Sequence, residues 1–507
     1  MIARASGSPI STTTTGSNVL TTKFYTNVQQ HGNNMLVRGF ANGKRKQITV
    51  PYKPYLFVPS RAGTYKSIKG QPLEKMSFSD IKDAREFIKN HEDVSGFAIH
   101  GMTQFLYPFI NDEYEGRVDY DTSLIRIGVI DIECDSAGGF PNLALANKEI
   151  NAITLHSEGV FYTFGLQPYT TKEDNVVYVH CTSEKDLLTK FLQRWNQQDL
   201  DIVTGWNIEF FDVPYLVNRI TNVLGKEEAK KLSPWRILQE KTVEINGKDN
   251  QAFVPLGISV LDFYGLYRKF TYTKRDSYRL GAIAKFELGD DKLEFEGTLA
   301  ELYASDHTTY IDYNIKDVAL ILRLEHKLGF INQAMAIAYD AKVNYNDALT
   351  SVRLWDVIIH NDLMSRKIAC PPAPRVGNNH RIIEGGYVKE PQPGRYRWLV
   401  SFDLTSLYPH IIMGWNMSPE TLCEFYDWKA NDVLEQGAEF QRIRAQCIKR
   451  NESLAGNGTT YSRKTLGFLP GLMHRVFEDR KKAKKEMLEK KMILELIREE
   501  QERRKAK

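Results

Sequence analysis

Apolar positions change their period several times along this chain. Between Lys23 and about Ile110 they alternate in short runs at 24–28, 34–37 and 46–50, parted by glycine and asparagine turns. A helical stretch follows at 79–90, and the whole predicts a mixed, β-leaning domain. From Leu124 to about Phe330, strand-like runs at 125–130 and 202–205 alternate with helical spacing at 183–195 and 309–328. Such alternation predicts an α/β domain around a mixed sheet. Alternation on both sides of Asn246-Gly247 predicts a hairpin across 241–248 with a type I′ turn, which on these residues alone could be a plain surface hairpin. A helical connector runs from Asn332 to about Met364, and Cys370-Pro371-Pro372-Ala373-Pro374 reads as a hinge. Leu399-Val400-Ser401-Phe402 reads as a short buried strand, and from Leu472 onward the chain reads as one long, charge-laced helix. The residues up to about Leu20 are rich in Ser, Thr and Gly with no apolar core, and read as a disordered lead-in.

Composition narrows this picture only a little. The 507 residues leave room for roughly two to four domains with ample cores. Lys and Arg total 67 against 63 Asp and Glu, so the formal charge is only +4. Nucleic-acid binding would then need local basic patches rather than a global field. The five cysteines are scattered without CxxC spacing, which argues against a zinc site and for free thiols in a reducing compartment. No apolar run approaches the roughly eighteen residues of a membrane span, and no internal repeat is found.

Three acidic segments carry candidate chemistry. Asp131-Ile132-Glu133 continues the strand from Ile125, and period two puts both acids on one face with Ile132 toward the core. Two acids side by side repel, and a cation is the usual remedy, although an isolated pair of this kind also suits a solvent-facing strand. Gly205-Trp206-Asn207-Ile208-Glu209-Phe210-Phe211-Asp212 follows another apolar strand and sets Asp212 at the mouth of a helix. Tyr313-Asn314-Ile315-Lys316-Asp317 lies in helical spacing, with Tyr313 and Asp317 four apart on one face. Four carboxylates so placed could close around two divalent metals for an in-line phosphodiester displacement. In order and spacing these segments resemble the three motifs of the DEDDy 3′–5′ proofreading exonucleases, in their family B DNA polymerase form. The resemblance implies that Asp131, Glu133, Asp212 and Asp317 are metal ligands and that Tyr313 orients the attacking water. It also places Asn207 at the primer end, gives the 241–248 hairpin a part in separating primer from template, and sets Lys292 where the family often has a catalytic lysine beside the DNA. Asp262, in Val260-Leu261-Asp262-Phe263, reads as a cap or brace rather than a catalytic acid.

The later region resembles the same family. Ser401-Phe402-Asp403-Leu404-Thr405-Ser406-Leu407-Tyr408-Pro409 puts a carboxylate at a strand end before a turn rich in backbone N–H groups. Taken alone, Asp403 could equally be a structural cap, but the full string resembles the first palm motif of family B polymerases of the T-even phage type. By that resemblance Asp403 and the Leu404 carbonyl hold metal, Leu404, Ser406, Leu407 and Tyr408 support the triphosphate, and the Tyr408 ring excludes a ribose 2′-hydroxyl. Glu384-Gly385-Gly386-Tyr387 resembles the family's Gly-Gly-Tyr segment, so Gly385, Gly386 and Tyr387 would contact DNA, an ordinary glycine turn being the alternative. Arg480 and Lys484 stand one helical turn apart, as on the first fingers helix, where the matching pair binds the incoming triphosphate; basic helix faces are otherwise usually just solvated. His410 stands where the common string has serine and reads as packing variation. The second fingers string Asn-Ser-x-Tyr-Gly and the palm string Asp-Thr-Asp-Ser occur nowhere in these residues.

The expectation is therefore an α/β and α+β multidomain chain: a lead-in at 1–22, a β-rich N-terminal domain at 23–110 and an RNase H-like exonuclease at 111–331. A connector returning to the N-terminal domain spans 332–374, a partial palm 375–466 and the first fingers helix 467–507. It would be the N-terminal part of a replicative, proofreading bacteriophage polymerase using two Mg2+ per site, with Mn2+ able to substitute. Primer–template DNA, dNTPs and a C-terminal polymerase polypeptide are the expected partners, with a sliding clamp as a further one and no membrane. The setting would be cytoplasmic, the host cytosol for a virus. Two other classes fit the residues: a free-standing exonuclease, or a non-catalytic fragment serving as an assembly module.

Overall fold

The structure is a computed structural model and describes residues 23–92, 94, 97–171, 173–245, 247–290, 295, 297–372, 388–427, 433 and 435–505. The chain divides into two compact units. Of the described residues, the first gathers those within 23–54, 78–86 and 103–358, and the second those within 55–77, 87–102 and 359–505.

A six-stranded mixed sheet centres the first unit, in the order Val176–His180, Val160–Gly165, Ile150–Ser157, Ile127–Cys134, Ile202–Thr204, Ser259–Val260. Ile127–Cys134 runs antiparallel to Ile150–Ser157 and parallel to Ile202–Thr204. Alternation is what fixes its two faces: Ile130 and Ile132 are buried, while Asp131 and Glu133 turn to the other side and are half-buried. The isoleucine face packs into an apolar core with the helices Glu184–Gln198 and Asp212–Leu224, which contribute Leu187, Phe191, Trp195, Leu216 and Ile220. Ser183 caps the first of these helices by accepting the Asp186 N–H. The helix His307–Leu328 lies along the acidic face; it starts at an Asp306 cap and ends at Gly329 with φ +66°.

The strands Lys23–His31, Asn34–Ala41 and Lys44–Pro51 form an antiparallel meander in the same unit. Buried Arg38 donates to the carbonyls of Leu200 and Gly257 at 2.8 Å each, and Arg45 makes a two-pronged pair with buried Asp201. Because Asp201 immediately precedes the strand Ile202–Thr204, these bonds tie the meander to the central sheet. The expected hairpin is present as Leu238–Ile245 against Lys248–Pro255, with Ile245 facing Lys248 and Gly247 at φ +73°. Asn246 itself lies outside the described residues. The expected connector consists of the helices Phe330–Ala341 and Ser351–Ser365.

The second unit holds a small sheet of Tyr55–Pro59, Pro72–Ser77 and Tyr65–Lys66, to which Ile368 adds a bridge at Lys66. Further on come the helix Leu407–Trp415, a three-stranded sheet with Thr459–Ser462 in the middle, and the helix Ala438–Arg450. The long helix expected from Leu472 begins slightly earlier and spans Phe468–Lys505, with Pro470 in its first turn where a missing N–H costs nothing. One expectation is corrected here. Residues 399–402 are neither a strand nor buried: Leu399 is 85% and Phe402 90% exposed. A strand exists only with a neighbour to take its backbone hydrogen bonds, and among the described residues no strand pairs with this run. Ala373 and Pro374 of the expected hinge lie outside the described residues.

Candidate active site

The central sheet and the helix His307–Leu328 together build an acidic cluster. Asp131, Glu133 and Asp317 each bring a carboxylate oxygen within 4.8 Å of the others. Asp317 is buried and the other two are half-buried. Among the described residues no other trio of His, Cys, Asp or Glu side chains comes so close. Three carboxylates at this spacing repel one another strongly, and hard oxygen donors of this kind suit a divalent cation such as Mg2+.

Asp212 sits beside this trio but outside its 4.8 Å set. As the first residue of the helix Asp212–Leu224, it accepts the Ile132 N–H at 3.1 Å, between the two acids of the central strand. Its carboxyl is pushed up to about 7, first by burial, with the charges of Asp262 and Asp317 adding. Asp262 behaves as the brace expected of it. It caps the helix Phe263–Phe270 through the Tyr264 N–H and accepts the N–H groups of Asn207 and Glu209 at 2.9 and 3.0 Å. Burial pushes its carboxyl up to about 6. These bonds shape the turn between Gly205 and Asp212, in which Asn207 adopts a left-handed φ of +64°.

The acids open into a cleft of ≈ 940 Å³, lined by Asp131, Asp317, Tyr313 and Asn207 together with the rings of Trp206, Tyr264 and Tyr278. Trp206 is fixed by its indole N–H, which donates to the Tyr278 carbonyl at 3.2 Å. Tyr313 meets Phe295 edge-on, with ring centres 5.5 Å apart. Sequence reasoning missed Asn314, whose amide donates to Asp131 Oδ2 at 2.6 Å. Its place on the helix carries no signal of this; only the register of Ile150–Ser157 and Val160–Gly165 sets Thr154 and Thr163 beneath it. Lys292, Gly385, Gly386 and Tyr387 lie outside the described residues.

In the second unit, Asp403 and Leu404 are exposed, and Ser406 at φ +55° starts the helix that carries Leu407 and Tyr408. Arg480 reaches this turn, with Nη1 3.4 Å from Ser406 Oγ, and Lys484 follows one helical turn along. His410 packs its ring edge-on against Phe477 with centres 4.7 Å apart, which suits a packing role.

The first unit thus holds a carboxylate cluster drawn from the strand Ile127–Cys134 and the helix His307–Leu328, and the second a helix–turn segment with a basic pair. Residues 108–283 match the family profile described as DNA polymerase family B, exonuclease domain, and 338–501 match DNA polymerase family B. The chain belongs to the family B DNA polymerases that carry an exonuclease domain. The DNA-directed DNA polymerase of Escherichia phage RB69 is 35% identical across 94% of this chain and 55% of its own length. That of Enterobacteria phage T4 is 32% identical across 94% and 55%, and DNA polymerase 1 of Pyrococcus abyssi 24% across 84% and 52%. The chain thus spans about half the length of the curated relatives it matches. Among the described residues no helix is long and apolar enough to cross a membrane.

Proposed function

We propose that this chain carries a 3′–5′ proofreading exonuclease in an RNase H-like unit, together with the first part of a polymerase palm and fingers. The observation that carries the reading is the trio Asp131, Glu133 and Asp317, of which Asp131 and Asp317 line an aromatic-walled cleft. In this reading the trio, joined by Asp212 once ionised, holds two Mg2+, with Mn2+ able to substitute. A bound pair of divalent ions supplies the charge that lowers the pKa of an attacking water and stabilises the leaving oxygen. Tyr313 orients that water from the same helix face as Asp317. Trp206, Tyr264 and Tyr278 offer ring faces to the terminal bases of a single strand, and Asn207 contacts the primer end. The hairpin Leu238–Ile245/Lys248–Pro255 helps to part the primer from its template.

For synthesis, Asp403 and Leu404 would hold metal, while Ser406, Leu407 and Tyr408 with Arg480 and Lys484 would bind a dNTP. The contact of Arg480 with Ser406 supports grouping these residues. The Tyr408 ring would reject ribose. Templated addition on primer–template DNA would need further palm, fingers and thumb segments, whichever chain carries them, because a lone Asp403 cannot hold both metals.

The nuclease reading is tested with a single strand labelled at its 5′ end. Mg2+ should produce a ladder shortening from the 3′ end, and EDTA should stop it. Internal cuts, or release of the 5′ label as mononucleotide, would contradict the reading.

A further inference from the structure

Three strands of the central sheet carry a polar row across one face. Register sets Asp131 opposite Thr154 and Thr154 opposite Thr163, so all three side chains point to the side covered by the helix His307–Leu328. That helix lays Asn314 onto the row, three residues before Asp317 and on nearly the same face. Thr154, Thr163 and Asn314 are fully buried.

Their hydrogen bonds run in a single direction. Asn314 Nδ2 donates to Asp131 Oδ2 at 2.6 Å, and the Thr154 hydroxyl donates to Asn314 Oδ1. A hydroxyl has one proton to give, so Thr163, 2.9 Å from Thr154 Oγ1, must donate to it in turn. An ionised carboxylate can only accept, so the amide turns its N–H end to Asp131 and leaves its oxygen for the Thr154 proton, which sets the order Thr163→Thr154→Asn314→Asp131. The amide holds one oxygen of Asp131 with a neutral donor, adding no charge to a site that already gathers three acids.

We infer that Asn314 is a positioning residue for divalent-cation binding at Asp131, oriented by Thr154 and Thr163. The inference rests on the exonuclease reading of this site. Partners that orient a metal ligand from behind typically change affinity by about 10–100-fold when removed.

The test is Mn2+ binding to the full chain without DNA, read from the electron paramagnetic resonance signal of free Mn2+. The parent is compared with Asn314→Leu, Thr154→Val, both together, and Asp131→Ala with Glu133→Ala. Asn314→Leu should weaken binding about tenfold or more. Thr154→Val should weaken it less, and the combined variant should be no worse than Asn314→Leu, because Thr154 acts through Asn314. Digestion by Asn314→Leu should recover at raised Mn2+, whereas the Asp131/Glu133 variant should not recover. Unchanged Mn2+ affinity in both single variants, or fully additive losses, would overturn the inference while leaving the nuclease reading intact. If Asn314→Leu does not fold, the near-isosteric Thr154→Val decides by its own Mn2+ affinity. Should the parent bind Mn2+ no better than the Asp131/Glu133 variant, the site reading fails and this inference with it.

Discussion

His360 shows how a buried side chain ties stability to pH. It is fully buried, with Nδ1 3.6 Å from the Cys370 sulfur, and burial pushes its imidazole down to about 4. The folded state therefore favours the neutral ring. The stability this allows is complete above the ordinary value of about 6.5 and is lost as pH falls from there toward 4. A gap of about 2.5 units corresponds to about 3 kcal/mol at the acid end. Urea unfolding of the parent and of His360→Gln at a series of pH values should differ by that loss between about pH 6.5 and 4, whatever the effect at neutral pH, because the other titrating groups are common to both. An identical pH slope in the variant would contradict this assignment. At this scale the sequence already carried the shared face of Asp131 and Glu133 and the bracing role of Asp262. Asn314 was not legible, since an Asn between Tyr313 and Ile315 on a helix looks solvated; the sheet register beneath it decides otherwise.

Gly205 illustrates what an element demands of one position. A Cβ there would lie 2.4 Å from the Ile130 carbonyl oxygen and 2.5 Å from Ile208 Cγ2. The turn after Ile202–Thr204 must then move away from the carboxylate strand if Gly205 gains a side chain. Gly205→Ala should lower stability by about 1–3 kcal/mol and slow digestion with it. Thermal melting and rate measurements on the same preparation check both, and unchanged values in each would refute the close approach. Elements whose bonds are internal or local were legible: the hairpin around Gly247, the Ser183-capped helix and the long helix Phe468–Lys505. The run 399–402 was misread because a short apolar run says nothing of a partner strand. A helix closes its own hydrogen bonds, but a strand depends on residues far away in sequence.

Over the whole chain, the acidic trio belongs to one compact unit and Asp403 to the other. Side chains without shared partners act nearly independently, so Asp403→Ala should leave 3′-end digestion within about twofold of the parent. A larger loss would mean that the second unit takes part in the nuclease reaction. The order of motifs along the sequence was enough to anticipate the family, whose exonuclease and polymerase profiles both match. The division of the 23–110 region between the two units depends on contacts between segments distant in sequence, such as Lys66 and Ile368, which no local pattern spells out. The central claim is that Asp131, Glu133 and their neighbours form a metal-dependent 3′–5′ nuclease site. Its most direct test is the rate at which nucleotides leave the 3′ end of single-stranded DNA in Mg2+, for the parent and for Asp131→Ala combined with Glu133→Ala, each shown to be folded by circular dichroism. The parent should digest, and the double variant should be slower by at least about a hundredfold, the upper end of what even indirect ligand changes cost. Equal rates in a folded double variant would contradict it.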